Sequence, residues 1–70
     1  MNSLELEFAR KRKHKTKEDM AAAIGKSVIS YTKKESGKVK FSDEEKVIVA
    51  KELDLTSEQV NAIFFDGNLP

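Results

Sequence analysis

A chain of 70 residues is long enough for one small domain, and the absence of cysteine excludes disulfides and Cys-based metal sites. A single histidine gives no basis for a His-rich metal site or a His-dependent catalytic triad. We therefore expect no metal, cofactor, small-molecule ligand or enzyme activity. The sequence has no apolar run long enough to span a membrane and no signal-peptide core, which predicts a cytoplasmic protein. The net charge is +1, but the charges are unevenly distributed along the chain. Residues 1–40 hold 11 basic and 5 acidic side chains, whereas residues 41–70 hold 2 basic and 7 acidic ones. Only residues 1–40 are therefore suited to contact phosphate groups.

The sequence predicts an all-α fold, because its only proline is Pro70 and its β-branched residues do not alternate. Four polar residues are predicted to cap the starts of helices: Thr16, Ser27, Ser42 and Thr56. Thr16, Ser42 and Thr56 are each followed three residues later by an acid or glutamine, which predicts capping boxes. The box at Thr16 is predicted to be the weakest, because its acid is an aspartate. Gly25 is predicted to end the second helix with a positive φ. The five predicted helices form a single domain over 1–70 and cover about 4–14, 17–24, 28–36, 43–53 and 57–65.

Two short helices joined by a tight glycine turn form a helix-turn-helix pattern. The segment TKEDMAAAIGKSVISYTKKESGK resembles the phage Cro/repressor (XRE) family of DNA-binding domains, most closely phage-related members from Gram-positive bacteria. The matching positions are Thr16, Glu18, Asp19, Met20, Ala21, Ile24, Gly25, Ser27, Glu35, Gly37 and Lys38. The later segment VAKELDLTSEQVNAIFF is similar to the closing helix pair of that family.

The resemblance covers about residues 6–65 and implies a compact five-helix, lambda-repressor-like domain with the helix-turn-helix at helices 2 and 3. It also implies a transcriptional regulator that occupies a double-stranded DNA operator in a bacterial or phage-infected cell. Lys15, Lys26 and Lys34 depart from the pattern, since the family usually has apolar residues there. We expect their stems to cover apolar surface while their ammonium groups stay in water.

The third predicted helix carries the expected base contacts. With Tyr31 inward, a rotation of 100° per residue directs Ile29, Thr32 and Lys33 outward, and two further residues flank them at the helix start. Ile29 can cover a thymine methyl group, and Lys33 can reach guanine or a phosphate. The alternative is that Ile29 is a solitary exposed apolar residue. The residues predicted to contact bases are Val28, Ile29, Ser30, Thr32 and Lys33.

Phosphate contacts are expected from lysines on both sides of the third helix. The run RKRKHKTK holds six of the 13 basic residues, and in a docked helix-turn-helix it would cross the DNA backbone. The alternative is an ordinary solvated helix face. The predicted phosphate contacts are Lys15, Lys17, Ser27, Lys38 and Lys40.

Two further pairs of residues have predicted structural roles. The resemblance implies that Arg10 pairs with Glu35 and ties helix 1 to helix 3, although both could instead be exposed. Phe65 and Leu69 fall off the core stripe of the last helix and suggest a homodimer contact, but Phe65 could equally fold onto its own core. In an alternative function, the acidic residues 41–70 and the patch of Phe65 and Leu69 bind a partner protein, as an antirepressor or antitoxin would.

Overall fold

Residues 1–66 are described by a computed structural model, and Leu69, one of the two predicted dimer contacts, lies outside them. The described part of the chain contains five α-helices and no strand, which confirms the all-α prediction. The helices are α1 Ser3–Arg12, α2 Lys17–Ile24, α3 Val28–Glu35, α4 Asp43–Glu52 and α5 Ser57–Phe64. None of the helices in residues 1–66 has the length and apolar character needed to cross a membrane.

The predicted caps occupy the starts of α2 to α5. The side chains of Thr16, Ser42 and Thr56 each accept from the backbone N–H three residues on, and the side chain of that residue accepts in return from the N–H of the cap. All three boxes are formed with similar geometry, since Asp19 Oδ2 accepts from the Thr16 N–H at 2.9 Å and the matching distance is 2.8 Å in the other two boxes. The weaker box at Thr16 stays a prediction. Ser27 caps α3 by accepting from the Ser30 N–H.

The predicted limits of the first helix, residues 4–14, were wrong at both ends. Asn2, which the sequence reading missed, caps α1 by accepting from the Glu5 N–H at 3.1 Å, so the helix begins at Ser3. It ends at Arg12 because His14 adopts a left-handed φ of 57° and turns the chain toward α2. The last three helices each end one residue earlier than predicted.

The core is formed where α2 packs on α3 and α4, and where α1 packs on α3 and α5. Phe41, between α3 and α4, links distant parts of this core. Its ring meets Tyr31 of α3 edge-on at 6.1 Å between centroids and Phe64 of α5 at 5.6 Å. At the end of α2, Gly25 has a φ of 68°, and Ser27 begins the capped start of α3, so the two helices are joined by a very short turn.

Candidate nucleic-acid interface

The third helix has one buried face and one exposed face. Tyr31 is 0% exposed, and Lys34 and Glu35 are also buried. On the opposite face Ile29 is 72% exposed, and Lys33 is exposed with it. Val28 is 38% exposed at the start of the helix, but it lies only about 60° around the helix from Tyr31. The other two predicted base contacts, Ser30 and Thr32, are half-buried at the margins of this face. Of the five predicted base contacts, Ile29 and Lys33 therefore share one exposed surface, Ser30 and Thr32 lie at its margins, and Val28 lies beside it at the start of the helix.

A buried ion pair anchors α3 to α1. Arg10 Nε donates to Glu35 Oε1 at 2.8 Å, and the two side chains are only 8% and 7% exposed. Tyr31 donates its hydroxyl hydrogen to the same Glu35 oxygen at 2.8 Å, and Arg10 also donates to the Lys15 carbonyl at 2.9 Å. Burial raises the pKa of Tyr31, and the Glu35 charge and hydrogen bond raise it further, so the phenol stays a hydrogen-bond donor. The pair fixes the inner face of α3 and leaves its outer face free.

A second buried ion pair, which sequence reasoning missed, anchors α3 to α4. Lys34 Nζ lies 2.9 Å from Glu45 Oε1 and also donates to the Lys40 carbonyl at 3.3 Å. The expectation that the Lys34 ammonium reaches water was wrong, because an acid and a carbonyl satisfy it inside the protein. The capping box identified Glu45 as the third residue of α4, but no spacing rule connects it to Lys34 in another helix.

The same carboxylate makes the stability of the fold depend on pH. Burial by itself would raise the pKa of Glu45, but the Ser42 backbone N–H and the Lys34 ammonium outweigh it and hold the pKa below its ordinary value. A lowered pKa in the folded state contributes stability above the unfolded pKa of ~4.3, and that stability is lost as pH falls below this value.

We therefore expect Glu45→Gln to be less stable than the native chain by about 2 kcal/mol at neutral pH, because the charged hydrogen bond is lost while the cap is kept. The deficit should shrink as pH falls below ~4.3, because the unfolded chain then binds a proton that the folded carboxylate still resists. Urea unfolding at a series of pH values measures this difference. Glu44→Gln, which changes the exposed neighbouring acid, is the control. A deficit that stays constant down to pH ~3 would contradict the assignment.

The predicted phosphate contacts occupy different surroundings. Lys17, the first residue of α2, lies against α3, lining one depression with Thr32 and Ser36 and another with Val28. Lys15 also lines the depression with Val28, but its ammonium lies 3.7 Å from Glu52 of α4, and it does not line the depression with Thr32 and Ser36. The structure thus brings Lys17, but not the charged end of Lys15, to the side of α3.

The remaining predicted phosphate contacts lie at the two ends of α3. Ser27 is exposed at the N-terminus, where its hydroxyl is already used as the cap. Lys38 and Lys40 are exposed in the loop that follows α3. The backbone N–H of Lys38 donates to the Lys33 carbonyl at 3.0 Å, which keeps this loop close to the end of α3.

The predicted dimer contact Phe65 is 37% exposed. Its ring packs beneath Lys46 of α4, whose Nζ lies 5.0 Å from the ring centroid. The ring therefore neither joins the buried core nor projects freely into solvent. It forms one edge of an apolar groove between α4 and α5.

Comparison with known proteins gives this chain no relatives: no protein-family model, curated protein or solved structure matches it significantly.

Proposed function

We propose that the protein is a sequence-specific double-stranded DNA-binding regulator, Cro-like or repressor-like, that acts by occupying an operator as a homodimer. In this proposal α2 and α3 form the helix-turn-helix, and α3 is the recognition helix. The observation that carries the proposal is the division of α3 into an outer face around Ile29 and Lys33 and an inner face held by two buried ion pairs.

The anchoring of α3 supports a recognition role. A helix that reads base edges must keep its position while its outer side chains lose water. Arg10 holds α3 from α1, Glu45 holds it from α4, and the Tyr31 ring packs beneath it against Phe41. Neither pair uses an outward side chain, so the candidate base contacts stay available.

The charge distribution around α3 supports contact with the DNA backbone. Lys17 lies beside the helix, and Lys38 and Lys40 follow its C-terminus, so positive charge flanks the outer face on both sides. Such contacts would set affinity and register, while the exposed face of α3 would read sequence.

A gel-shift experiment with the DNA flanking the gene of this protein tests the proposal. We expect a specific complex whose affinity falls steeply between about 50 mM and about 200 mM salt, because each phosphate contact releases counterions. Unrelated DNA of equal length is the control. An absence of any complex at the lower salt concentration would contradict the proposal.

Homodimerisation predicts a distinct effect of Phe65→Glu. Because the ring is partly exposed, the monomer should stay folded, whereas a charge at the groove edge should weaken cooperative binding to an operator with two half-sites. Titration of one-half-site and two-half-site DNA measures that cooperativity. Phe8→Glu, which changes an exposed ring on α1, is the control and should leave cooperativity unchanged. Unchanged cooperativity in Phe65→Glu would place the dimer contact elsewhere.

A second candidate function is binding of a partner protein, in the manner of an antirepressor or antitoxin. The apolar groove between α4 and α5 favours it, since this groove lies in the acidic part of the chain and away from α3. This function predicts no DNA complex with a steep salt dependence, so the same gel-shift experiment separates the two candidates.

A further inference from the structure

The groove between α4 and α5 is an exposed apolar surface lined only by residues from position 43 onward. Its lining includes Ala50, Leu55 and Val60, and its edges are formed by Phe65 and by Val47, which is 58% exposed. No residue of α3 contributes to it, so a molecule bound there would leave the outer face of α3 open.

The charges beside Val47 follow a self-complementary order along α4. Asp43 lies four residues before Val47 and Lys51 lies four residues after it, which puts all three on one side of the helix. The two charges are separated by ~12 Å along the helix axis. A second α4 helix laid antiparallel across Val47 would place each Asp43 opposite the other copy's Lys51, and the two Val47 side chains opposite each other.

The acidic excess of this part of the chain is partly neutralised by the first part. Glu45 pairs with Lys34 at 2.9 Å, and its charge is buried. On the surface, Glu52 and Asp54 each lie close to a lysine of the first part: Glu52 is 3.7 Å from Lys15 and Asp54 is 3.8 Å from Lys13. Asp43 lies 3.8 Å from Lys46 of its own helix, an exposed pair that is weak enough for the other copy's Lys51 to replace. Repulsion between two copies at this face is therefore weaker than the count of acidic side chains implies.

We propose that a second copy of this chain covers the groove, with the two α4 helices antiparallel and the two-fold axis at Val47. A two-fold interface requires one surface that is complementary to itself, and the order of Asp43, Val47 and Lys51 meets that requirement. This inference gives a surface to the homodimer of the proposed function and rests on it. Its test uses no DNA, so failure of this interface and failure of operator binding are separate results.

Sedimentation equilibrium of the full chain tests the proposal between about 10 µM and about 1 mM. We expect a concentration-dependent dimer. Asp43→Lys and Lys51→Asp should each weaken it by about tenfold, because two attractive pairs become two repulsive ones. A mixture of these two variants should form a heterodimer. In it the introduced lysine of one copy faces the introduced aspartate of the other, and the unchanged Lys51 of the first copy faces the unchanged Asp43 of the second. Native mass spectrometry identifies the heterodimer by its mass.

The control is Glu58→Lys, which makes the same change of charge in the first turn of α5, outside the groove lining. It should leave dimerisation unchanged. Circular dichroism verifies folding, and if Asp43→Lys does not fold, Val47→Glu tests the same contact from an exposed position. A native chain that stays monomeric, single variants that dimerise normally, or mixed variants that form no heterodimer would each overturn the proposal. A heterodimer formed from two variants that are monomeric alone would support it.

Discussion

Replacing Arg10 with methionine is expected to lower the free energy of unfolding by about 3 kcal/mol, which corresponds to a fall in Tm of ~15 °C for a domain of this size. The reason is that the Glu35 carboxylate stays buried and charged after the Arg10 guanidinium is lost. The Tyr31 hydroxyl still donates to Glu35, but it does not supply the missing positive charge. The Lys15 carbonyl also loses the donor that Arg10 supplies at 2.9 Å. Urea or thermal unfolding at neutral pH measures the loss.

Removing the whole polar group should be less harmful than removing Arg10 alone. The double variant Arg10→Met, Glu35→Leu no longer buries an unpaired charge, but it leaves the Tyr31 hydroxyl without its acceptor. Adding Tyr31→Phe should therefore recover further stability. Lys11→Met is the matched control, because it removes an exposed charge one residue away and should cost less than about 0.5 kcal/mol, as is typical of surface changes. An Arg10→Met variant as stable as Lys11→Met would contradict the buried-pair assignment.

Local signals in the sequence were sufficient to predict the helices. A cap such as Ser42 and its partner three residues later lie within one turn, so their hydrogen bonds depend on spacing alone. The end of α1 was predicted less well, because it depends on a positive φ at His14, and histidine signals such a turn less strongly than glycine does. The end of α1 is determined by the direction in which the chain must turn to enter α2. No pattern of side chains before the turn marks its position.

Contacts between helices were only partly predictable. With Tyr31 taken as the inward residue, a rotation of 100° per residue was enough to place Ile29 outward on α3. The pair of Lys34 with Glu45 depends on how α3 and α4 are placed in space, which periodicity within either helix does not determine. For the same reason the sequence did not distinguish Lys17, which lies by α3, from Lys15, whose ammonium lies by α4. The basic run therefore divides between two surfaces of the molecule.

On operator DNA, Ile29→Ala and Lys17→Ala are expected to have opposite effects. Ile29 has no hydrogen-bonding group and is 72% exposed, so it can discriminate only by apolar contact, for which a thymine methyl is the natural partner. Its loss should relax the preference at one or two base pairs, by ~1–3 kcal/mol, and leave the salt dependence unchanged. Loss of Lys17 should weaken binding to all sequences alike and lower the salt slope by about one unit per protomer.

Two controls match these variants. Leu4→Ala removes an apolar side chain on α1 that is 58% exposed, and it should leave the base preference intact. Lys13→Ala removes a charge from the same basic run as Lys17, but its ammonium lies 3.8 Å from Asp54, so the salt slope should change little. Binding-site selection and titration at several salt concentrations provide both measurements. If Ile29→Ala keeps the native preference at every position, α3 does not read bases with its exposed face. If Lys13→Ala and Lys17→Ala lower the salt slope equally, then Lys13, which faces Asp54, contributes as much to DNA binding as Lys17, which lies beside α3. That result would mean that phosphate contacts are not confined to the side of α3.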